Sequence, residues 1–123
     1  MFFRETPGPP IAGSERDGET LHVRLGRCAV LGNSLALRNG LLEQLHKPPP
    51  PARILLDLSR LDRLDTAGVA AIVECLVHAR RIDAGLALEG VTRQGLRMLE
   101  LFHLEALLST GGGEVGPERE REP

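Results

Sequence analysis

Three carboxylates and the Thr66 hydroxyl gather in a single stretch of the chain: Asp57, Asp62, Asp65 and Thr66, within LLDLSRLDRLDTAGV at positions 55–69. Asp57 and Asp65 are of the type that does acid–base chemistry, but such work needs a pocket and a nucleophile, and no neighbouring residue supplies either. The Thr66 hydroxyl suits two other tasks. It can donate to a docked partner, or accept a phosphoryl group that the positive end of a following helix would stabilise. Asp62 and Asp65 oppose the second task, because they repel a dianion. Ala67 and Gly68 are small, so a partner's backbone or side chain can come close there. The plainer alternative is structural: Asp65 caps a helix and Thr66 opens its first turn.

Other candidates offer less. His22, His46, His78 and His103 show no ligand spacing with one another or with Cys28 and Cys75, so neither a metal site nor a cofactor is expected. The two cysteines lie far apart in apolar-periodic segments and read as small buried hydrophobes. Asp57 closes an apolar run, as a receiver-domain phosphoacceptor would. Receivers also need an early acidic pair and a late lysine, and the only lysine here is Lys47, beside the prolines. Gly111–Gly113 has no strand before it and no Lys-Ser/Thr helix after it, so it is not a phosphate loop. No G-x-S-x-G elbow is present. The chemistry-bearing residues describe a non-catalytic protein.

The elements that position Thr66 follow from periodicity. Leu21, Val23 and Leu25 alternate with His22 and Arg24, as in a strand with one buried face. A second short strand fits about 27–31. Asn33 or Ser34 can cap a helix carrying Leu37, Leu41 and Leu45 at i, i+4, i+8, with Gly40 costing it about 1 kcal/mol of propensity. Pro48–Pro51 cannot continue that helix and makes a stiff connector. Ile54–Leu56, ending at Asp57, suits a central strand. After Asp65 an i, i+3, i+4, i+7, i+8 stripe of Val69, Ile72, Val73, Leu76 and Val77 predicts a helix, with Arg80 and Arg81 at its negative end. Leu86–Leu88 reads as a further strand, and Thr92–Phe102 as a helix turning Leu96, Leu99 and Phe102 inward. This order of elements is a compact α/β domain.

Composition narrows the setting. The net charge of −2 gives no field that would gather nucleic acid or anionic lipid. Only Phe2, Phe3 and Phe102 are aromatic, too few for a base-stacking platform. No apolar run approaches the roughly 20 residues that span a bilayer, and Arg4, Glu5 and prolines interrupt the amino terminus. A cytoplasmic protein without direct membrane insertion or nucleic-acid partner is expected. The prolines, glycines and charges of 1–17 suggest a disordered lead-in, and STGGGEVGPEREREP a disordered tail over 109–123, leaving a folded unit of 18–108.

The segment from Leu55 to Val69 resembles the hallmark of STAS domains. In these a central strand ending Asp-Leu-Ser leads through a short apolar link to Asp, Ser or Thr, a small residue and Gly at a helix start. The resemblance continues through Ala79-Arg80-Arg81, the Gly85–Val91 strand and turn, and the Leu96–Leu107 ending, covering about 18–108. It implies a STAS-like α/β single domain: a mixed sheet of four to five strands with about three helices. Asp57-Leu58-Ser59-Arg60 and Arg63-Leu64-Asp65-Thr66 look most like the small STAS subunit of Mla-type phospholipid ABC transporters. That branch implies a cytosolic module, peripheral at the inner membrane, that binds the transporter's ATPase through Arg63, Asp65, Thr66, Ala67 and Gly68. The second branch is the anti-sigma-factor antagonists, partners of an anti-sigma kinase, which usually carry Asp-Ser-Ser-Gly with the first Ser as phosphoacceptor. Thr66 matches that place, and Ala67 departs from the pattern.

Overall fold

A computed structural model describes residues 8–108. Four strands form the main sheet: β1 (Ile11–Asp17), β2 (Thr20–Leu25), β4 (Arg53–Asp57) and β6 (Gly85–Glu89), in the order β1-β2-β4-β6. β1 runs antiparallel to β2, while β2, β4 and β6 are parallel. A second, two-stranded pair joins β3 (Cys28–Ala29) to β5 (Arg63–Leu64). The helices are α1 (Ser34–Leu45), α2 (Thr66–Arg81) and α3 (Arg93–Leu101), followed by a short 3₁₀ turn at Glu105–Leu107. This is the mixed four-stranded α/β sheet with three helices that the resemblance implies.

The period-2 pattern of the strands fixes which face meets the helices. Leu21, Val23, Leu25, Ile54, Leu56 and Leu88 are buried in one cluster with Leu37, Leu41 and Leu45 of α1 and Ile72, Cys75 and Ala79 of α2. The phase of α2 differs from the expected stripe. Gly68, Val69, Ala71, Ile72, Cys75 and Ala79 face inward, Val73 and Leu76 are half-buried, and Val77 is 43% exposed. The buried face combines Val69 and Ile72 with the small Gly68, Ala71, Cys75 and Ala79, and at Gly68 the Ala29 backbone comes close. α3 likewise buries Leu99 but leaves Phe102 at its end exposed.

The lead-in expected at 1–17 is corrected over its second half. Residues 11–17 form β1, because Gly18, at φ 65°, and Glu19 make a two-residue hairpin turn that returns the chain onto β2, with Asp17 opposite Thr20. Ile11 packs against the core and reaches Gly40 of α1, where an added Cβ would lie 2.8 Å from its Cδ1. Residues 1–7 and 109–123, for which disorder was expected, lie outside the described residues.

The site is held by a closer contact. Gly68, in the first turn of α2, packs on the backbone of Ala29, and a Cβ there would sit 2.0 Å from the Ala29 carbonyl oxygen. No side-chain rotation relieves that overlap, so only glycine lets α2 approach β3.

Two stability predictions follow from these contacts. Gly68→Ala should lower stability by about 2–3 kcal/mol in urea unfolding, the opposite sign to the helix-propensity gain of about 1 kcal/mol. An unchanged or raised midpoint would show that β3 and α2 are not in this contact. Removing residues 1–17 should lower the melting temperature. A mutant cycle locates the cause: Gly40→Ala should be nearly neutral in the intact protein but stabilise the Ile11→Ala variant by about 1 kcal/mol, because the opposing methyl is gone. Equal effects in both backgrounds would place Ile11 elsewhere.

Candidate functional site

Asp65 organises the start of α2. Its backbone is extended, and its Oδ1 accepts a hydrogen bond from the Gly68 N–H at 3.0 Å, satisfying one of the helix's unpaired donors. Its Oδ2 accepts from the Leu31 N–H at 3.0 Å, and its own N–H donates to the Ala29 carbonyl at 3.2 Å. One carboxylate thus ties the β3–α1 loop to the helix start. That loop is also fastened from within by Asn33, the one buried polar side chain among the described residues. Asn33 Oδ1 accepts from the Val30 N–H, and Nδ2 donates to the Cys28 carbonyl. Asn33 occupies the N-cap position of α1 without making a side-chain cap; its polar atoms shape the loop instead.

The expected site residues divide by role. Thr66 is exposed as the first residue of α2, Arg63 is exposed on β5, and Ala67 is half-buried. Asp65 is half-buried with both oxygens engaged, and Gly68 is buried. The small size of Gly68 therefore serves the chain's own Ala29 rather than an incoming partner, a correction to the reason for which it was singled out. Asp62 pairs with Arg27 at 2.7 Å, but both side chains are more than half exposed, so the pair contributes little stability.

Asp57 has a structural task. Its Oδ1 accepts from the Ser59 N–H at 2.9 Å, closing the turn after β4. Gly90, at φ 70°, passes so close that a Cβ would be 2.9 Å from that oxygen. Asp57 and Asp65 both serve backbone N–H groups, which leaves the acid–base reading without support.

Two residues that sequence reasoning passed over meet the helix start: Leu31 donates its N–H to Asp65, and Leu35 lines a groove with Ala67. Leu31 and Leu35 are 77% and 66% exposed at the loop and first turn of α1. Beside them a groove of about 390 Å³ runs between α1 and α2, lined by Ser34, Leu35, Arg38, Ala67, Ala70 and Glu74. Arg38 and Glu74 form an ion pair across it. The available signal was Leu31 and Leu35 themselves, which fall off the Leu37-Leu41-Leu45 stripe and so have no place in the core. Cys75 lies beneath, buried, and burial pushes its thiol up to about 12, so it stays protonated and unreactive. Among the described residues no helix is long and apolar enough to cross a membrane.

Comparison with known proteins bears on the fold that carries these residues. The fold is similar to an anti-sigma factor antagonist from Mycobacterium paratuberculosis, with 14% identity over 85% of this chain and 87% of the other at a TM-score of 0.70. It is also similar to the anti-sigma factor antagonist SpoIIAA in its unphosphorylated form, with 14% identity over 78% and 84% at 0.68. A sulfate transporter family protein from Wolinella succinogenes aligns at 18% identity over 72% and 70%, with a TM-score of 0.63. At such identities the likeness concerns the fold. No curated protein matches by sequence. The family model described as "Mlab, STAS domain" matches residues 12–109, a span that runs from the second residue of β1 through the Asp65 clamp and α3, and the chain belongs to this STAS-domain family.

Proposed function

We propose that this STAS domain is a non-catalytic, cytosolic binding module that docks a partner protein at the start of α2. The partner we assign is the ATPase subunit of an Mla-type phospholipid ABC transporter, which would hold the module at the inner membrane. One observation carries the reading: exposed Thr66 stands between Asp65, which holds the exposed Leu31 by its N–H, and Ala67, which lines the α1–α2 groove together with the exposed Leu35. Apolar side chains exposed around a polar anchor have the makeup of an interface core with its specificity-giving group. Asp65 and Gly68 contribute from behind, by fixing where Thr66 sits. Arg63, exposed on β5, supplies a charge at the edge, where it would act on the encounter rate more than on affinity.

A second reading rests on the same hydroxyl. Thr66 lies at an α2 start with unpaired N–H groups, where a phosphate would be stabilised, as in an anti-sigma-factor antagonist switched by a kinase. Phosphate would then release the partner by placing a desolvated dianion in the contact.

Binding to the purified ATPase subunit tests the docking site. Thr66→Glu and Leu35→Asp should each raise Kd at least about 100-fold, a loss near 3 kcal/mol, with the far-UV circular dichroism unchanged. Thr66→Ser, which keeps the hydroxyl, should bind within about threefold of the natural protein. Wild-type affinity in both disruptive variants would place the contact elsewhere. Intact-mass analysis of the protein from its own cells separates the two readings: the transporter reading expects unmodified Thr66, and a substantial fraction phosphorylated there would overturn it.

A further inference from the structure

We propose that the amino-terminal residues Phe2 and Phe3 cover the exposed Leu31–Leu35 patch of their own chain, as an internal competitor for any protein that docks there. Leu31 and Leu35 are 77% and 66% exposed, two residues to either side of Asn33. Asn33 is also where the amino-terminal segment arrives, since its Nδ2 donates to the Gly8 carbonyl at 3.4 Å. The residues that follow Gly8 are held in place. The Gly26 N–H donates to the Pro10 carbonyl at 2.8 Å, and a Cβ at Gly26 would stand 2.3 Å from the Pro9 carbonyl oxygen. The chain at Pro9–Pro10 therefore lies directly against the residue that ends β2.

The occupant follows from that anchor and from the sequence ahead of it. Seven residues, MFFRETP, precede Gly8. Phe3 is five residues from Gly8, and five residues of extended chain reach about 17 Å. Leu31 and Leu35, each within two residues of Asn33, fall inside that span. Phe2 and Phe3 are two of the three aromatic residues in the whole chain, and no other side chain of the segment gains as much from leaving water. The charges agree as well. α1 opens with no side-chain cap and no acidic residue in its first turn, so its positive dipole end is unanswered at this loop. Glu5, three residues before Gly8, supplies a carboxylate within the same reach.

The cover is weak by construction. Ordering the backbone of all seven residues would cost more than burying two phenyl rings returns, so the contact belongs to the rings and does not require the whole segment to order. Tethering offsets the weakness, because a short link keeps the rings at a millimolar local concentration around the leucines. A second molecule has no such advantage. A docking protein must displace the rings before it reaches Leu31 and Leu35, and its apparent affinity falls with the fraction of chains in which the patch is open. That consequence rests on the docking reading; the intramolecular contact does not.

The chain contains no tryptophan and no tyrosine, so a Phe3→Trp variant of the tag-free full chain carries a single fluorescent reporter. Its emission should lie to the blue of a peptide of residues 1–7 with the same substitution, and acrylamide should quench it less. Leu31→Asp and Leu35→Asp, each made in the Phe3→Trp background, should move both readings toward those of the peptide while far-UV circular dichroism stays native. The proposal is overturned if the full-length variant already emits and quenches like the peptide, or if the blue shift survives in the double Leu31→Asp/Leu35→Asp variant. It is overturned too if the shift fades on dilution, which would assign the leucines to a second copy. None of these readings needs a partner, so they hold whether or not the ATPase binds. With the ATPase, deleting residues 2–7 should lower Kd about threefold to tenfold. An unchanged Kd beside an intact fluorescence contact overturns the competition and leaves the contact standing.

Discussion

The approach of α2 to the Ala29 backbone constrains everything around the site. Only a residue without a Cβ fits at Gly68, and the contact brings Asp65 within reach of the β3–α1 loop. The carboxylate then serves two backbone donors at once, one in its own helix and one at Leu31. The bond to the Gly68 N–H is part-buried, and losing its acceptor leaves an unsatisfied donor at a cost of about 1–3 kcal/mol; the bond to the Leu31 N–H is exposed, where water can replace it. The Asp-Thr-Ala-Gly sequence is thus a bracket: Asp and Gly face inward and hold, while Thr faces outward and is presented. A rigidly presented hydroxyl loses less entropy on docking than one on a mobile loop.

Much of this was legible from residue order. The central strands β2, β4 and β6, the α1 stripe of Leu37, Leu41 and Leu45, and the Asp65 cap all follow from apolar spacing and capping chemistry. The α2 phase did not follow, because hydrophobicity ranks Val73, Leu76 and Val77 above Ala71, Cys75 and Ala79. Close packing reverses that ranking, since small residues are buried where backbones approach. β1 was missed because IAGSERD is polar along an edge strand, yet Asp17-Gly18 ahead of an alternating run is a hairpin signal in its own right.

The surface also separates two kinds of exposed apolar residue. Leu31 and Leu35 stand beside a fixed polar group and a groove. Leu101 and Phe102, at the end of α3, are exposed outside that groove. Isolated apolar exposure is ordinary on soluble proteins, whereas apolar exposure grouped around a positioned hydroxyl has the form of a recognition surface.

The strand order has a kinetic consequence. The β1–β2 hairpin closes over two residues around Gly18 and can form within microseconds of collapse. The parallel pairs β2–β4 and β4–β6 each require a crossover through an entire helix before their first ladder bond forms. Loop-closure entropy must be met before those pairings return any energy, so the sheet should assemble outward from the hairpin, with β6 arriving last. During synthesis β2 would already have a partner on one edge before Ile54–Leu56 emerges. The polar strand that looked dispensable then has a second use, as a shield for an apolar strand while its permanent neighbour is still being made.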